Sequence, residues 1–258
     1  MIVIFSGYNQ RAVVAFLRCL EKNHIRNYLI IAASNQDTIL KTTYRDKVFC
    51  VRKNKVLDKN EIFEILGNIR RKYKEESLLI SPSTEALNRF LLKYREMLEE
   101  QQCIIPLVDE KLYEMISDKE NFWEFCKRNE LLVPSNITLG ECFAQPYVAK
   151  PKHYQAKDGK VYSPILVLTP KNHENFLKNY DADNFTYQKY ITGDSYYILY
   201  YFARDGQVYS FSQQNYAQQP NGKSILVAVA SDIHEKKLHR NIKKFFKSSI
   251  FMGLLWLN

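Results

Sequence analysis

No stretch of this sequence reaches the ~18 consecutive apolar residues that a membrane span needs, so no membrane partner is expected. The opening "MIVIFSGYNQ" is apolar but has no basic leader and no cleavage site; it reads as a first strand, not a signal peptide. There is no Cys-x-x-Cys and no histidine pair at zinc spacing. The five cysteines, Cys19, Cys50, Cys103, Cys126 and Cys142, are odd in number and widely spaced. That excludes a disulfide framework or a zinc module and leads to an expectation of reduced thiols in a cytoplasmic protein. Internal repeats and low-complexity linkers are also missing. A continuous basic stripe is lacking, although the net charge is +9. The positive charge sits in small clusters at "RRKYK" (70–74), "HEKKLHR" (234–240) and "KKFFK" (243–247). The last two read as the solvated face of an amphipathic helix, which argues against a nucleic-acid interface. An excess of positive charge still suits an anionic small partner.

What is there is a chain of 258 residues, 46% hydrophobic and 25% charged, enough for one large core or two smaller ones. The first hundred residues alternate. "MIVIFS", "NYLIIAAS", "KVFCV", "SLLIS" and "CIIPLV" are short apolar runs of strand type. Between them, "NQRAVVAFLRCLEKN" puts Val13, Phe16, Leu17 and Leu20 on one helical face. "EIFEILGNIRRKY", with Asn60 as candidate cap, puts Ile62, Ile65, Leu66, Ile69 and Tyr73 in one stripe. Ser81 and Pro82 are placed to start a third helix, "STEALNRFLLKYREML". Strands alternating with helices predict a Rossmann-like parallel sheet covered on both faces. After residue 109 the pattern changes. Two helices, "DEKLYEMI" and "DKENFWEFCKRNEL", precede a loop, "LLVPSN". "PYVAKPK" and "PILVLT" follow as strands, and Thr169-Pro170 opens the helix "PKNHENFLKNY". "FTYQKYITG", "SYYILYYFARDGQVYSFS" and "KSILVAVA" predict antiparallel strands with a hairpin turn at Asp205-Gly206, and a helix from about Asp232 to Met252 closes the chain. The expected class is therefore α/β followed by α+β, with domains at 1–108 and 109–258.

In parallel sheets, ligands sit at the carboxyl ends of strands. Two such ends carry Ser6, Gly7, Tyr8, Asn9 and Ser81, Ser83, Thr84, Glu85, polar groups near helix N-termini that suit an anionic or carbonyl ligand. Helix capping alone explains any one of them as well. In the second half, Lys119 lies in the first turn of a helix, where the dipole disfavours a cation. Lys150 ends an apolar strand, so its stem is expected to be partly buried and its ammonium aimed into a cavity. "TYQKYITGDSYY" runs one strand through a Thr-Gly turn into the next.

Taken in that order, these features resemble the ATP-grasp superfamily, the ATP-dependent carboxylate–amine ligases and relatives such as carbamoyl phosphate synthase, over almost the whole chain. The resemblance implies a pre-ATP-grasp domain followed by an ATP-grasp domain with a lid subdomain at about 145–190. It implies that Lys119 and Lys150 reach the nucleotide phosphates, and that Gln188 accepts from the adenine amino group in place of the more usual glutamate. Tyr190 and Ile191 would offer backbone groups to adenine, and Asp194 would contact the ribose. The implied activity is formation of an acyl phosphate from ATP and a small carboxylate, followed by transfer to an amine or similar nucleophile. Ser6, Asn9, Thr84 and Glu85 are the candidates for the substrate side.

Two departures from the family pattern stand out. The glycine-rich loop that usually follows the strand lysine is replaced by "KPKHYQAKDGKVYS", whose only glycine is Gly159. Lys152, His153 and Lys157 could partly replace its backbone donors as point charges. The chain also ends on "FMGLLWLN", six apolar side chains in eight residues. In the family this leads into a strand whose partner carries the acidic residues and asparagine that hold Mg2+. Metal ligands are thus expected beyond Asn258, with none assigned within the chain. As given, the chain is expected to be a truncated ATP-grasp ligase, binding ATP but impaired in turnover. The alternative expectation is a non-catalytic nucleotide-binding or interaction module that forms a homo-oligomer or pairs with a complementing second chain through an exposed strand edge.

Overall fold

The computed structural model describes residues 1–153, 156, 159–203, 205–219, 225–235 and 253–257, with the backbone alone for residues 143 and 253–257. It divides into two compact units, Met1–Glu110 and Lys111–Asn258. Residues 236–252, which hold most of the last two basic clusters and the body of the expected closing helix, and Lys157 lie outside the described residues. Where the closing helix is expected to begin, Ile233–Glu235 is a 3-10 turn.

The first unit is a five-stranded parallel sheet in the order β3-β2-β1-β4-β5, made of β1 (Ile2–Phe5), β2 (Tyr28–Ala32), β3 (Val48–Val51), β4 (Leu78–Ser81) and β5 (Cys103–Ile104). Alternate side chains go to opposite faces. Val3, Phe5, Leu29 and Ile31 pack on α2 (Lys59–Tyr73) and α3 (Glu85–Lys93), while Ile4, Ile30 and Ala32 pack on α1 (Gln10–Lys22). The sheet is thus covered on both faces, which is why its strands read as continuous apolar runs.

Local starts and stops differ from the sequence expectation in three places. Helix α2 is capped by Asp58, not Asn60, because the Asp58 carboxylate accepts from Glu61 N at 2.9 Å. Helix α3 starts after Thr84, whose hydroxyl accepts from Leu87 N, not at Ser81-Pro82. The helix expected to run on to Leu98 breaks at Tyr94 and resumes as α4 (Arg95–Glu100). There the Arg95 guanidinium donates to the carbonyls of Leu107 and Val108 at 2.8 and 2.7 Å.

The second unit has α5 (Glu110–Ser117), the last residue of the first unit being its first, and α6 (Lys119–Arg128), followed by two four-stranded sheets. One has the order β6-β9-β7-β8, from β6 (Asn136–Ile137), β7 (Tyr147–Pro151), β8 (Ile165–Val167) and β9 (Phe185–Lys189), all paired antiparallel. Helix α7 (Pro170–Asn179) starts as expected, with the Thr169 hydroxyl accepting from Asn172 N and Pro170 in its first turn. The other sheet has the order β12-β11-β10-β13, from β10 (Ser195–Phe202), β11 (Val208–Gln218), β12 (Ile225–Ser231) and β13 (Gly253–Leu257). Gly206, at φ +79°, allows the turn between β10 and β11. The architecture is an α/β unit with a parallel sheet followed by an α+β unit with antiparallel sheets.

One turn of the first unit depends on glycine. Gly7 has φ +103°, and a Cβ placed there would lie 2.1 Å from the Ala33 Cβ. Gly7→Ala therefore combines a left-handed backbone with overpacking, and is expected to cost about 2–4 kcal/mol. Hydrogen exchange of the β1 and β2 amides would measure it.

Candidate functional site

Strands β7 and β9 pair antiparallel with Val148 opposite Gln188, Ala149 opposite Tyr187 and Lys150 opposite Thr186. Residues opposite one another share a face. One face carries Tyr147, Ala149, Phe185 and Tyr187, which pack with Phe176 of α7 into an aromatic core. The Tyr147 and Phe176 rings meet edge to face at 6.4 Å, and Phe176 and Phe185 do so at 5.3 Å. The other face carries Val148, Lys150, Thr186 and Gln188. The aromatic face fixes the sheet, and the opposite face is left to polar groups.

Lys150 is pushed below its ordinary value, first by burial and then by the charge of Lys119. Lys119 is the first residue of α6, and Asp118 before it caps that helix by accepting from Glu120 N and Asn121 N. Among the described residues no carboxylate forms an ion pair with Lys119 or Lys150. Beyond Pro151, the Lys152 backbone N–H donates to Asn184 O at 3.0 Å, and His153 Nδ1 lies 3.0 Å from the second oxygen of Asp118.

Gln188 is 6% exposed. Its amide nitrogen donates to Asn136 Oδ1 at 3.2 Å, from the neighbouring strand β6, while its buried Oε1 has no hydrogen-bond partner among the described residues. A buried amide oxygen without a donor costs about 1–3 kcal/mol. Tyr190 N donates to Pro146 O at 3.1 Å, so its N–H is already engaged within the sheet. Ile191 and Asp194 are exposed beyond it, at the turn through Gly193.

In the first unit the candidate substrate residues are engaged locally. Ser6 is buried and its hydroxyl donates to Asp37 at 2.5 Å. Thr84 caps α3. Glu85 accepts from Arg89 Nε at 3.1 Å and Nη2 at 2.8 Å. Asn9 stands at the cap position of α1, exposed and with no side-chain capping bond.

Sequence reasoning misses Asn136 and Asp37. Asn136 matters only because strand register sets it against Gln188, 52 residues away. Asp37, in "SNQDT", carries a turn signal but no hint that four donors converge on it. A cavity of about 180 Å³ is lined by Cys142, Gln145, Thr169 and His173 among others, and neither lysine nor Gln188 borders it. Among the described residues no cluster of three or more His, Cys, Asp or Glu side chains could hold a metal, and no helix is long and apolar enough to cross a membrane.

No protein-family model and no curated protein matches the sequence. Solved structures do match in fold. N5-carboxyaminoimidazole ribonucleotide synthetase from Thermus thermophilus is 15% identical with a TM-score of 0.62, covering 100% of this chain and 66% of its own. The biotin carboxylase domain of the Hydrogenobacter thermophilus 2-oxoglutarate carboxylase, solved with MgADP, ADP and bicarbonate, is 12% identical with a TM-score of 0.65, covering 99% and 59%. N5-carboxyaminoimidazole synthetase from Staphylococcus aureus, complexed with ADP, is 15% identical with a TM-score of 0.64, covering 99% and 65%. The chain thus spans about three fifths to two thirds of the length of these structures, and the likeness is one of fold.

Proposed function

We propose, from the ATP-grasp fold that this chain carries, that it binds ATP on the β7–β9 face and takes part in activating a carboxylate. The observation that carries the reading is the buried Oε1 of Gln188, which has no hydrogen-bond partner among the described residues, on the same sheet face as Lys150. Adenine offers an exocyclic amino group, the donor this oxygen lacks. Lys119 and Lys150 neutralise the polyphosphate, with Lys152 alongside. Ile191 and the Tyr190 carbonyl bound the adenine edge, and Asp194 accepts from ribose hydroxyls. The segment at about 145–190 is the proposed lid. The ligands named with the structural relatives, ADP and MgADP, agree with a nucleotide site.

The proposed chemistry is attack of a carboxylate oxygen on the γ-phosphorus, with release of ADP, to give an acyl phosphate. An amine or similar nucleophile then attacks the acyl carbon and phosphate leaves. A magnesium ion would stabilise the charge on the transferred group. The described residues do not fit one, so the part assigned to this chain is binding and charge neutralisation. On the substrate side Asn9 is the readiest of the four candidates, the other three being held by local partners.

Thermal unfolding with and without ATP and magnesium, with ADP release in parallel, tests the reading. ATP is expected to raise the melting temperature, and Gln188→Leu to weaken ATP binding about tenfold while leaving inorganic triphosphate binding unchanged. Equal ATP affinity in the parent and the variant would remove the adenine assignment.

A second reading, a module that pairs with another copy or another chain, is favoured by one observation. Strand β12 lies at the edge of its sheet, and Leu226, Val227 and Val229, on both its faces, are more than half exposed. Sedimentation at rising concentration separates this module from a monomer.

A further inference from the structure

Arg52 follows β3 at the carboxyl end of the parallel sheet, the end at which such sheets take ligands. Its residue is 4% exposed, and its Nε and Nη1 are buried with no hydrogen-bond partner among the described residues. Nη2 makes one long contact, 3.4 Å to the Tyr8 hydroxyl. A guanidinium carries five N–H donors in a planar fork and stays charged, so burying it with two nitrogens unsatisfied is costly. Nearby Glu61 offsets the charge only at a distance. Its carboxylate accepts from Lys53 N, Asn54 N and Asn54 Nδ2.

The Tyr8 side chain lies over Arg52. The Tyr8 ring lies 5.7 Å from the guanidinium carbon, and its hydroxyl donates to Lys55 O at 2.6 Å. Yet Tyr8 is 58% exposed and follows Gly7, which has φ +103°. Rotation of Tyr8 about its own side-chain bonds would give up its hydroxyl contacts with Lys55 O and Arg52 Nη2 and the ring contact, and would take the ring off the guanidinium.

We propose that Arg52 is the receptor for a small oxyanion, a carboxylate or a phosphoryl group, admitted when Tyr8 swings off it. The planar fork matches two oxygens of such a group. This site lies within the first unit and is independent of the nucleotide reading, which uses residues of the second.

The test is an Arg Nε–Hε nuclear magnetic resonance titration in a Lys119→Ala/Lys150→Ala background, which removes the phosphate site proposed for the nucleotide. The Arg52 signal is assigned by its loss in Arg52→Lys. Inorganic phosphate and acetate are titrated separately, against chloride at matched ionic strength. The expected result is a saturable shift of the Arg52 signal with phosphate, with acetate or with both, and none with chloride; the two arms distinguish phosphoryl from carboxylate ligands. Tyr8→Ala is expected to tighten binding several-fold by removing the cover. Arg52→Gln, which keeps a polar side chain and lacks the charge, is expected to weaken the effect of the same anion on thermal stability at least tenfold. An Arg52 signal unmoved by both anions in the parent background and in Tyr8→Ala would overturn the proposal. So would an undiminished response in Arg52→Gln, or unchanged affinity in Tyr8→Ala.

Discussion

Lys150→Ala is expected to weaken ATP binding on the order of a hundredfold, the largest loss from any single change at the proposed nucleotide site. The magnitude follows from where the ammonium sits. Its stem leaves the end of β7 and its head is partly withdrawn from water, so a phosphate oxygen meeting it is poorly screened. Lys119, exposed at the start of α6, is expected to cost less when removed. The same environment gives a sign test. Burial first, and Lys119 second, hold Lys150 below the ordinary lysine value of 10.5. Phosphate binds the protonated form, so affinity falls as pH rises through that lowered value. The stability of the ligand-free chain moves the other way. Between the lowered value and 10.5 the unfolded chain holds more protons on this residue, so stability rises with pH across that window. Calorimetric titration of ATP at several pH values, beside unfolding of the free chain, reads both slopes. In Lys119→Ala the second cause is gone, and the fall in affinity is expected to move to higher pH. A fall in affinity that stays in place in Lys119→Ala, with unchanged affinity in Lys150→Ala, would break the link between the two lysines.

What the sequence made legible is the part that depends on neighbours along the chain. Alternating apolar runs and amphipathic stripes pointed to the parallel sheet of the first unit, and the β10–β11 hairpin followed from Asp205-Gly206. Thr169-Pro170 opened α7 where a hydroxyl before a proline should. Local competition explains the errors: Asp58 displaces Asn60 as the cap because its carboxylate is placed to reach Glu61 N, and helix α3 stops at Tyr94 although its apolar pattern continues. The strand order β3-β2-β1-β4-β5 is not written in any one segment. Nor is the site. Lys119 and Lys150 stand out singly, as a cation at a helix start and a cation ending an apolar strand. The register that sets Gln188 against Asn136 comes from packing. Arg52 is less legible still, since nothing in "FCVRKNK" separates an arginine to be buried from the solvated lysines after it.

The largest expected loss of stability in the first unit is at Asp37. This carboxylate is 5% exposed and accepts from the Ser6 hydroxyl at 2.5 Å, Ala33 N at 2.9 Å, Ile39 N at 3.0 Å and the Gln10 amide. Those donors come from the end of β1, the start of α1, the end of β2 and the turn that follows it. One side chain therefore ties together the two crossings that leave the middle of the sheet. Asp37→Ala strands the part-buried N–H of Ala33 and the buried N–H of Ile39 and leaves a cavity, at an expected cost of about 3–5 kcal/mol. Asp37→Asn preserves the shape but puts an NH2 group against a backbone N–H whichever way the amide is turned, because each carboxylate oxygen already serves one. It is expected to cost less than alanine, about 1–3 kcal/mol. Since the chain has two units, bulk unfolding need not be two-state. Hydrogen exchange of the β1 and β2 amides reports the first unit directly, and protection there should fall in both variants while that of β7 and β9 is retained. Gly7→Ala strikes the same knot, because a Cβ at Gly7 would also lie 3.2 Å from the Asp37 carboxylate. The double change should therefore cost less than the sum of the two, and full additivity would mean that Gly7 and Asp37 hold the turn separately.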